Sequence, residues 1–255
     1  MIDTYHNFTT EKEDYWNDYW SRNNGLGGSS WDPDSNSKVL RDYHRALWSR
    51  DLPNGMHMNL SEDLTWNGMR FGSDSIIVSF RYKDQPLAEE IKKALPDYKK
   101  FFYEYIQKSN TIAGYTIFPK HSGSMNQNRG TNHLIRDRWD LTLECIRRFY
   151  CNEQSPLSDT IEKDKEFYDL FVDFKGYIDY FFFNDCVSDD YRHVNIWIGD
   201  ADFKESGLPK TTEEYFKYIE AEMSFLEKRR NRIQKHCTRN RHQKPAPETG
   251  YKSLY

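Results

Sequence analysis

The sequence has no long apolar run and few cysteines. No stretch approaches the roughly 18–20 apolar residues that cross a bilayer, and the start, MIDTYHNFTTEKEDYW, lacks the basic region and apolar stretch of a signal peptide. There is no C-x-x-C pair and no nearby histidine at zinc-ligand spacing for the four scattered cysteines, Cys145, Cys151, Cys186 and Cys237. These absences predict a cytoplasmic protein with structural thiols, no membrane association and no metal site.

The common nucleotide-binding motifs are missing as well. The chain contains neither the G-x-x-x-x-G-K-[ST] loop that cradles phosphates nor the G-x-G-x-x-G turn of dinucleotide-binding folds. Two acid pairs, Asp189 with Asp190 and Asp200 with Asp202, could bind a divalent metal, but surface loops are rich in acids. No motif therefore indicates a cofactor or a reaction type.

Aromatic residues, by contrast, are abundant. Apolar residues make up only 37% of the 255 and charged residues 30%, which alone would favour disorder. Aromatic residues reach 16%, however, and disordered chains are poor in them. A chain of this length can bury one sizeable core, so we expect one folded domain with an aromatic-rich interior.

Charge is distributed unevenly along the chain. The net charge is −4, yet segment 228–244 contains eight Lys or Arg and no acid, so the rest of the chain carries −12. A basic segment on an acidic body can bind nucleic acid, and it can equally fold back onto its own protein.

Hydrophobic periodicity predicts an α+β fold, in which a small antiparallel sheet packs against several long helices. Residues that favour strands are concentrated in five segments: 56–60, 64–71, 75–82, 111–119 (a candidate central strand) and 193–198. Helical spacing predicts five helices: 35–50, 86–109 with a break at Pro96, 132–150, 158–184 and 211–236. Thr211 and Glu214 fit a capping box at the start of the last helix.

The predicted domain covers residues 35–237. Residues 1–34 are predicted to be mostly irregular because Gly, Ser, Asn, Pro and Asp are frequent there. Residues 238–255 are predicted to form a flexible basic and polar tail.

The stretch 128–150, NRGTNHLIRDRWDLTLECIRRFY, concentrates charge on a predicted helix. It contains five arginines, two aspartates and a glutamate. Arg136 with Asp140, and Glu144 with Arg148, are spaced for helix ion pairs that contribute about 0.2–0.5 kcal/mol each. One interpretation is therefore a well-solvated surface helix.

The other interpretation is an anion-binding site at the start of that helix. Free backbone N–H groups and the helix dipole favour an anion there. The residues predicted to bind it are Asn126, Gln127, Arg129, Asn132, Arg136 and Arg138. The residues predicted to orient them, or to act as acid or base, are Asp137, Asp140 and Glu144. We expect a phosphate-bearing ligand, either a nucleotide or a nucleic acid, handled by an enzyme or a sensor.

The segment RNRIQKH, 230–236, resembles the short motif of ribonucleases of the HEPN superfamily. In that motif an arginine and a histidine assist cleavage through the 2′-hydroxyl, and Arg230 and His236 match these positions. Six residues on a helix place the two side chains about 120° apart, which is workable across a dimer interface. That superfamily is all-α, whereas this sequence predicts strands, and cations at a helix end also simply complement the dipole.

A second enzyme resemblance is to ADP-ribosyltransferases. That family uses a His or Arg on an early strand, a Ser-centred strand and a later Glu to hold NAD and activate the acceptor. His44 after Tyr43, the run 73–75 (Ser-Asp-Ser) and Glu144 follow this order loosely. His44 is predicted on a helix and Asp74 in a turn, so ordinary structural roles also account for them.

A non-catalytic role is the alternative from another class. Tyr15, Trp16, Tyr19 and Trp20 form an aromatic cluster that, if exposed, could anchor a partner or a second copy of the chain. The chain would then be an interaction module and a homo-oligomer.

Several longer strings occur in the order found in a family of uncharacterised bacterial proteins. They are LWSRDLPNG (47–55), GSDSI (72–76), TIAGYTIFP (111–119), NQNRG (126–130), RDRWDLTLECIRRFY (136–150), SPLSDT (155–160) and FVDFKGYIDYFF (171–182). The chain resembles this family over about residues 38–233. The resemblance implies a bacterial or phage-related cytosolic protein of one domain, compatible with phage defence or toxicity, and it implies no activity and no site residue.

Overall fold

The computed structural model describes residues 2–80 and 85–242. Within them the chain forms helices and a small antiparallel sheet, which confirms the predicted α+β class. The helices are α1 (Tyr15–Ser21), α2 (Pro33–Asn36), α3 (Lys38–Trp48), α4 (Gln85–Ala94), α5 (Tyr98–Ser109), α6 (Met125–Thr131), α7 (Trp139–Tyr150), α8 (Ser158–Lys163), α9 (Lys165–Asp169), α10 (Phe174–Phe181) and α11 (Thr212–His242). The strands are β1 (Thr65–Trp66), β2 (Met69–Ser75) and β3 (Tyr115–Pro119).

The sheet has the order β1-β2-β3 with antiparallel pairing throughout. Asn67 and Gly68 connect β1 to β2 with φ angles of 47° and 78°, the left-handed conformations that a two-residue hairpin of Asn-Gly type requires. Ser75 pairs with Tyr115 at one end of β2, and Phe71 pairs with Pro119 at the other. The strand 111–119 was predicted to be central, but β2 occupies that place and β3 borders the described sheet, although all five of its residues are buried.

Helix α3 begins where the sequence predicted a capped start. The Ser37 hydroxyl accepts a hydrogen bond from the backbone N–H of Leu40 at 2.9 Å, which satisfies one free donor of the first turn. Leu40, His44 and Leu47 then face the interior one turn apart.

Two other predicted boundaries are confirmed. α4 ends at Ala94 and α5 begins at Tyr98, on either side of Pro96. α11 begins at Thr212, and the Thr211 hydroxyl accepts from the backbone N–H of Glu214 at 3.1 Å.

The predicted helix 132–150 was wrong in its first part. The polar stretch before it forms α6, and α7 begins only at Trp139. Arg136 and Asp137 between them have φ angles of 53° and 65°, which a right-handed helix cannot contain. The sequence contains no Pro or Gly at this break, so no local signal marked it.

The predicted helix 158–184 is likewise divided, into α8, α9 and α10. Val172, at φ 70°, separates α9 from α10. The predicted apolar stripe is nevertheless buried: Phe167, Leu170, Phe171, Phe174, Ile178, Phe181 and Phe182.

All five predicted strands differ from the structure. The turn at Asn67 and Gly68 divides segment 64–71 between β1 and β2, and in segment 111–119 strand β3 begins only at Tyr115. Segments 56–60 and 193–198 contribute only isolated bridges, at His57 and Val194. β2 ends at Ser75, so residues 76–80 of the predicted strand 75–82 continue without strand pairing, and the rest of that prediction lies outside the described residues.

The N-terminal segment, predicted to be mostly irregular, contains α1 and two short 3-10 turns, at Phe8–Glu11 and Asn23–Gly25. Phe8, Tyr19 and Leu26 are buried in the main core. The flexible tail was predicted from residue 238, but residues 238–242 continue helix α11, and the rest, from 243 onward, lies outside the described residues.

Arg229 of α11 crosses the core to the start of β3. It is fully buried and donates to the backbone carbonyls of Ala113 at 2.6 Å and Tyr115 at 2.9 Å, and its guanidinium stacks on Phe183. Burial without a nearby carboxylate lowers the pKa of Arg229 to about 9.

Within residues 2–80 and 85–242, no helix combines the length and the apolar character that a bilayer crossing requires.

Candidate functional site

A polar cavity of about 190 Å³ lies between the start of α3, strand β2 and the residue that follows β3. The α2–α3 segment contributes Asp34, Ser37 and Arg41, and β2 contributes its residues from Arg70 to Ser73. The remaining lining residues are Ser35, Leu40, Asp63, Leu64 and Lys120.

Three cations surround this cavity: Arg41, Arg70 and Lys120. None of them forms an ion pair with another residue of the described ranges, although Asp63 lies on the same wall. β pairing sets the position of two of them, since the Lys120 backbone N–H donates to the Arg70 carbonyl at 2.8 Å. The Lys120 stem lies across Gly72, where an added Cβ would stand 3.1 Å from Lys120 Cδ.

A chain of hydrogen bonds leads from the core to this cavity. The Trp48 indole Nε1 donates to His44 Nδ1 at 3.0 Å, and His44 Nε2 lies 2.9 Å from Ser73 Oγ. Ser73 Oγ in turn lies 2.5 Å from Asp34 Oδ1. Helix α3 supplies both ring residues because positions 44 and 48 are one turn apart on its inner face.

The direction of these hydrogen bonds follows from the first of them, which Trp48 Nε1 donates to His44 Nδ1. An indole N–H can only donate, so His44 Nδ1 must accept, and the proton of a neutral ring then sits on Nε2. The ring is neutral because burial, with the nearby charge of Arg229, lowers the pKa of His44 to about 3. His44 therefore donates to Ser73, so it is not placed to remove the serine proton as the base of a nucleophilic Ser-His pair would.

Asp34 is one of the two acidic groups that line the cavity, and Asp63 is the other. The second oxygen of Asp34, Oδ2, accepts from the backbone N–H of Ser75 at 3.0 Å. Burial, together with the negative charges of Asp32 and Asp74, raises the pKa of Asp34 well above its usual range. Burial also raises the pKa of Asp74 to about 6, although the nearby Arg129 opposes that shift.

Arg129, one of the residues predicted to bind an anion, contacts the end of β2 but does not line the cavity. It is 1% exposed and donates to Asp74 Oδ2 at 2.9 Å, to the Ser75 carbonyl at 2.7 Å and to the Asp137 carbonyl at 2.5 Å. The guanidinium thus fixes the end of β2 from inside.

Arg138 is also enclosed by internal partners. Two of its nitrogens bind Asp140, at 3.1 and 2.6 Å, and one donates to the Ile198 carbonyl at 2.7 Å. The Trp197 backbone N–H donates to the same Asp140 carboxylate at 2.9 Å. The predicted Arg136–Asp140 pair was wrong, because the break before α7 removes the helical spacing on which it depended.

The other predicted binding residues make local contacts. The Asn126 side chain accepts from the Ser124 hydroxyl, that of Gln127 from the Gly123 N–H, and that of Asn132 from the Leu134 N–H. Arg136 is half-buried in the linker between α6 and α7.

The predicted catalytic acids lie in different surroundings. Glu144 binds Arg148, as predicted, and also Arg147. Asp140 is held by Arg138, and Asp137 lies against Gly130, where an added Cβ would be 2.7 Å from Asp137 Oδ1. Their roles in binding or catalysis stay predictions.

The residues of the two enzyme resemblances lie in different parts of the structure. His44 and Ser73 of the ADP-ribosyltransferase resemblance are in contact, whereas Glu144 is engaged with its two arginines. Arg230 stacks on Tyr5 beside one cavity, and His236 lines another.

Sequence reasoning missed Asp34, Trp48 and the three cations of the cavity. The four-residue spacing of His44 and Trp48 on a predicted helix was an available signal. Asp34 gave none, because it lies 39 residues from Ser73 in a segment of loop composition. As for a metal, no group of three or more His, Cys, Asp or Glu that could hold one occurs among the described residues.

The chain matches one known protein family over most of its length. Residues 2–233 match the model of a family of unknown function (DUF6994), and the chain belongs to that family. The match also includes the N-terminal segment that the sequence resemblance left out. No curated protein and no solved structure gives a significant match.

Proposed function

We propose that this chain is an enzyme or sensor that binds a phosphate-bearing ligand, a nucleotide or nucleic acid, in the cavity at β2. Arg41, Arg70 and Lys120 would hold the phosphate, and Ser73 would donate a hydrogen bond to it. The observation that carries the proposal is the ring of three cations, without ion-pair partners among the described residues, around a cavity that ends in an ordered hydroxyl.

Charge and hydrogen-bond energetics support an anion there. Three like charges round one small space repel each other, and an anion between them relieves that repulsion. Hydrogen bonds from charged donors to phosphate oxygens contribute about 1.5–3 kcal/mol each.

The hydrogen-bond chain supplies the chemical part of the proposal. Because His44 and Trp48 hold Ser73 in one orientation, its hydroxyl is preorganised beside Asp34. Asp34, whose pKa is raised by burial, is suited to exchange a proton with a bound ligand. An enzyme would use Asp34 as a general acid or base, whereas a sensor would use it only for recognition. A cytoplasmic location and a part in phage defence or toxicity belong to the same proposal.

Thermal denaturation with a panel of nucleotides, short RNA and inorganic phosphate tests the proposal. A true ligand at a hundredfold excess over its dissociation constant should stabilise the protein by about 2.7 kcal/mol. Arg41→Gln and Lys120→Gln should each weaken binding by roughly 10–100-fold.

The control is Arg45→Gln, one turn further along α3, where the arginine pairs with Asp42 and Glu62 outside the cavity. It should leave binding unchanged. If no member of the panel stabilises the wild-type protein, or if Arg45→Gln is as harmful as Arg41→Gln, the proposal is wrong.

A second candidate is the non-catalytic, oligomerising module. Tyr15 and Tyr19 of the predicted aromatic cluster are buried, so they are not the exposed anchors that the sequence suggested. The support comes instead from Tyr103, which is 47% exposed and packs on Trp16 with the ring centroids 4.6 Å apart. Light scattering after size exclusion should show a dimer that Tyr103→Glu dissociates, while Met56→Glu, at another exposed apolar position, should not. A monomeric wild-type protein would exclude this candidate.

A further inference from the structure

We propose that the ligand of this cavity ends in a phosphomonoester, and that Asp34 carries a proton in the complex. This inference rests on the proposed function and narrows it from any phosphate-bearing ligand to one with a terminal phosphate. An internal phosphodiester of a nucleic acid would then not be accepted.

The size of the cavity favours a terminal group. Cavities that enclose a whole drug-sized ligand measure roughly 300–1,000 Å³. At about 190 Å³, this one can admit only the end of a larger molecule. A terminal phosphate has one substituent leading outward, whereas a phosphodiester needs two exits for its chain.

The charge of the lining favours a dianion. The cations Arg41, Arg70 and Lys120 face two acids, Asp34 and Asp63. The net charge of the lining is therefore +1 with Asp34 ionised and +2 with Asp34 protonated. A phosphomonoester carries about −1.5 to −2 at neutral pH, and a diester carries a single charge, so the protonated form of the cavity matches the monoester.

The hydrogen-bond chain explains why Asp34 must hold the proton. His44 Nε2 donates to Ser73 Oγ, so one lone pair of the serine oxygen is occupied. While Asp34 is ionised, the serine hydrogen points to its Oδ1, 2.5 Å away, and is not available to a ligand. Once Asp34 is protonated it can donate to Ser73 Oγ instead. The serine hydrogen is then free to turn into the cavity toward a phosphate oxygen.

Some of the groups around Asp34 favour its protonated form, and others favour its ionised form. Asp32 and Asp74 favour its protonated form, and the negative phosphate would add to them. The Ser75 N–H and the three cations favour the ionised form. Arg129 and Asp137 shift the pKa of Asp74 in opposite directions, and His44 is neutral. Tyr115 on β3 stays uncharged because burial and the charges of Asp34 and Asp32 raise its pKa. When the phosphate engages the cations, the balance at Asp34 moves toward the proton.

Calorimetric titration with methyl phosphate and dimethyl phosphate tests the first half. Methyl phosphate should bind at least tenfold more tightly than the dimethyl compound at pH 8, where the monoester is fully dianionic. If neither compound nor inorganic phosphate binds, the proposed function itself fails. Equal affinities of the two esters would overturn this inference and leave the proposed function standing.

The pH dependence of methyl phosphate affinity tests the second half. Between pH 7 and 9.5 the wild-type affinity should fall, by up to tenfold per pH unit, because the bound form requires a proton that Asp34 loses as pH rises. Asp34→Asn is permanently neutral and should bind with a flat profile over this range. Identical profiles for the two proteins would overturn the proton on Asp34.

Ser73→Ala provides a check on the other partner of the Ser73–Asp34 hydrogen bond. It should weaken methyl phosphate binding roughly tenfold while leaving the preference over dimethyl phosphate, since size and charge still select the monoester. Unchanged affinity in Ser73→Ala would overturn the hydrogen-bond part of the proposal.

Discussion

Two sets of cations in this molecule differ in what surrounds them. Arg129 and Arg138 come from the most charge-dense stretch of the sequence, and both are enclosed by carboxylate and carbonyl oxygens. Arg41, Arg70 and Lys120 come from unremarkable stretches and surround a cavity. Charge density in a sequence therefore does not by itself predict charges that are available to a ligand, because a dense cluster can satisfy its own charges internally.

The largest expected effect comes from breaking an internal pair. Arg138→Met would leave Asp140 buried with only the Trp197 N–H as a partner, and the loss of stability should be about 3–5 kcal/mol. Arg70 belongs to the set around the cavity and is exposed, so Arg70→Met should change stability by no more than about 0.5 kcal/mol. Urea denaturation measures both, and comparable losses would remove the distinction between the two sets.

Two buried acids differ in the same way. Asp140 forms an ion pair with Arg138, whereas Glu222 forms no ion pair among the described residues. Burial raises the pKa of Glu222 to about 8, although hydrogen bonds from the Tyr105 hydroxyl and the Val78 N–H oppose the shift. A raised folded-state pKa stabilises the protein fully below the unfolded value of 4.5, and this contribution disappears as pH rises toward 8.

The wild-type protein should therefore lose up to about 1.4 kcal/mol per pH unit across that window. In Glu222→Gln the amide oxygen can accept from the Val78 N–H and the amide N–H can donate to the Tyr105 hydroxyl oxygen. The glutamine has no proton to lose, so the stability of this variant relative to the wild type should improve from pH 5 to pH 8. Denaturation curves at four pH values would reveal this difference, and a constant gap would contradict the assignment.

The smallest expected effects on stability are those of two glycine substitutions, one beside each set of cations. Gly130→Ala places a Cβ 2.7 Å from the Asp137 carboxylate beside the Arg129 network, so we expect a loss of about 1–3 kcal/mol, despite the usual gain from alanine in a helix. Gly72→Ala meets only the flexible Lys120 stem, at 3.1 Å, and should cost less than about 1 kcal/mol. Melting temperatures of the two variants would test the order, and a reversed order would show that the interior is the more adaptable region.

Local signals in the sequence predicted much of the fold. The break at Pro96, the cap at Thr211 and the aromatic stripe of 167–182 depend on neighbours within a few residues, and all three are present. The break at Arg136 and Asp137 was missed because positive φ at residues other than glycine has no reliable sequence signal.

The site was harder to predict than the fold because its contacts are long-range. His44 meets Ser73 across 29 positions, and Ser73 meets Asp34 across 39. Such contacts depend on how α2 and α3 pack on β2, which no periodicity encodes. The charged stretch attracted the prediction because its residues are close in sequence, whereas the cavity assembles residues that are close only in space.

Arg229 at the start of β3 has a consequence for how this protein meets other copies of itself. An open strand border offers free carbonyls to which a strand from another chain can add, the first step of aggregation. Here a buried guanidinium already occupies the carbonyls of Ala113 and Tyr115. At the opposite border β1 offers only two residues. Because all five residues of β3 are also buried, the described sheet is a poor template for intermolecular β-structure at either border.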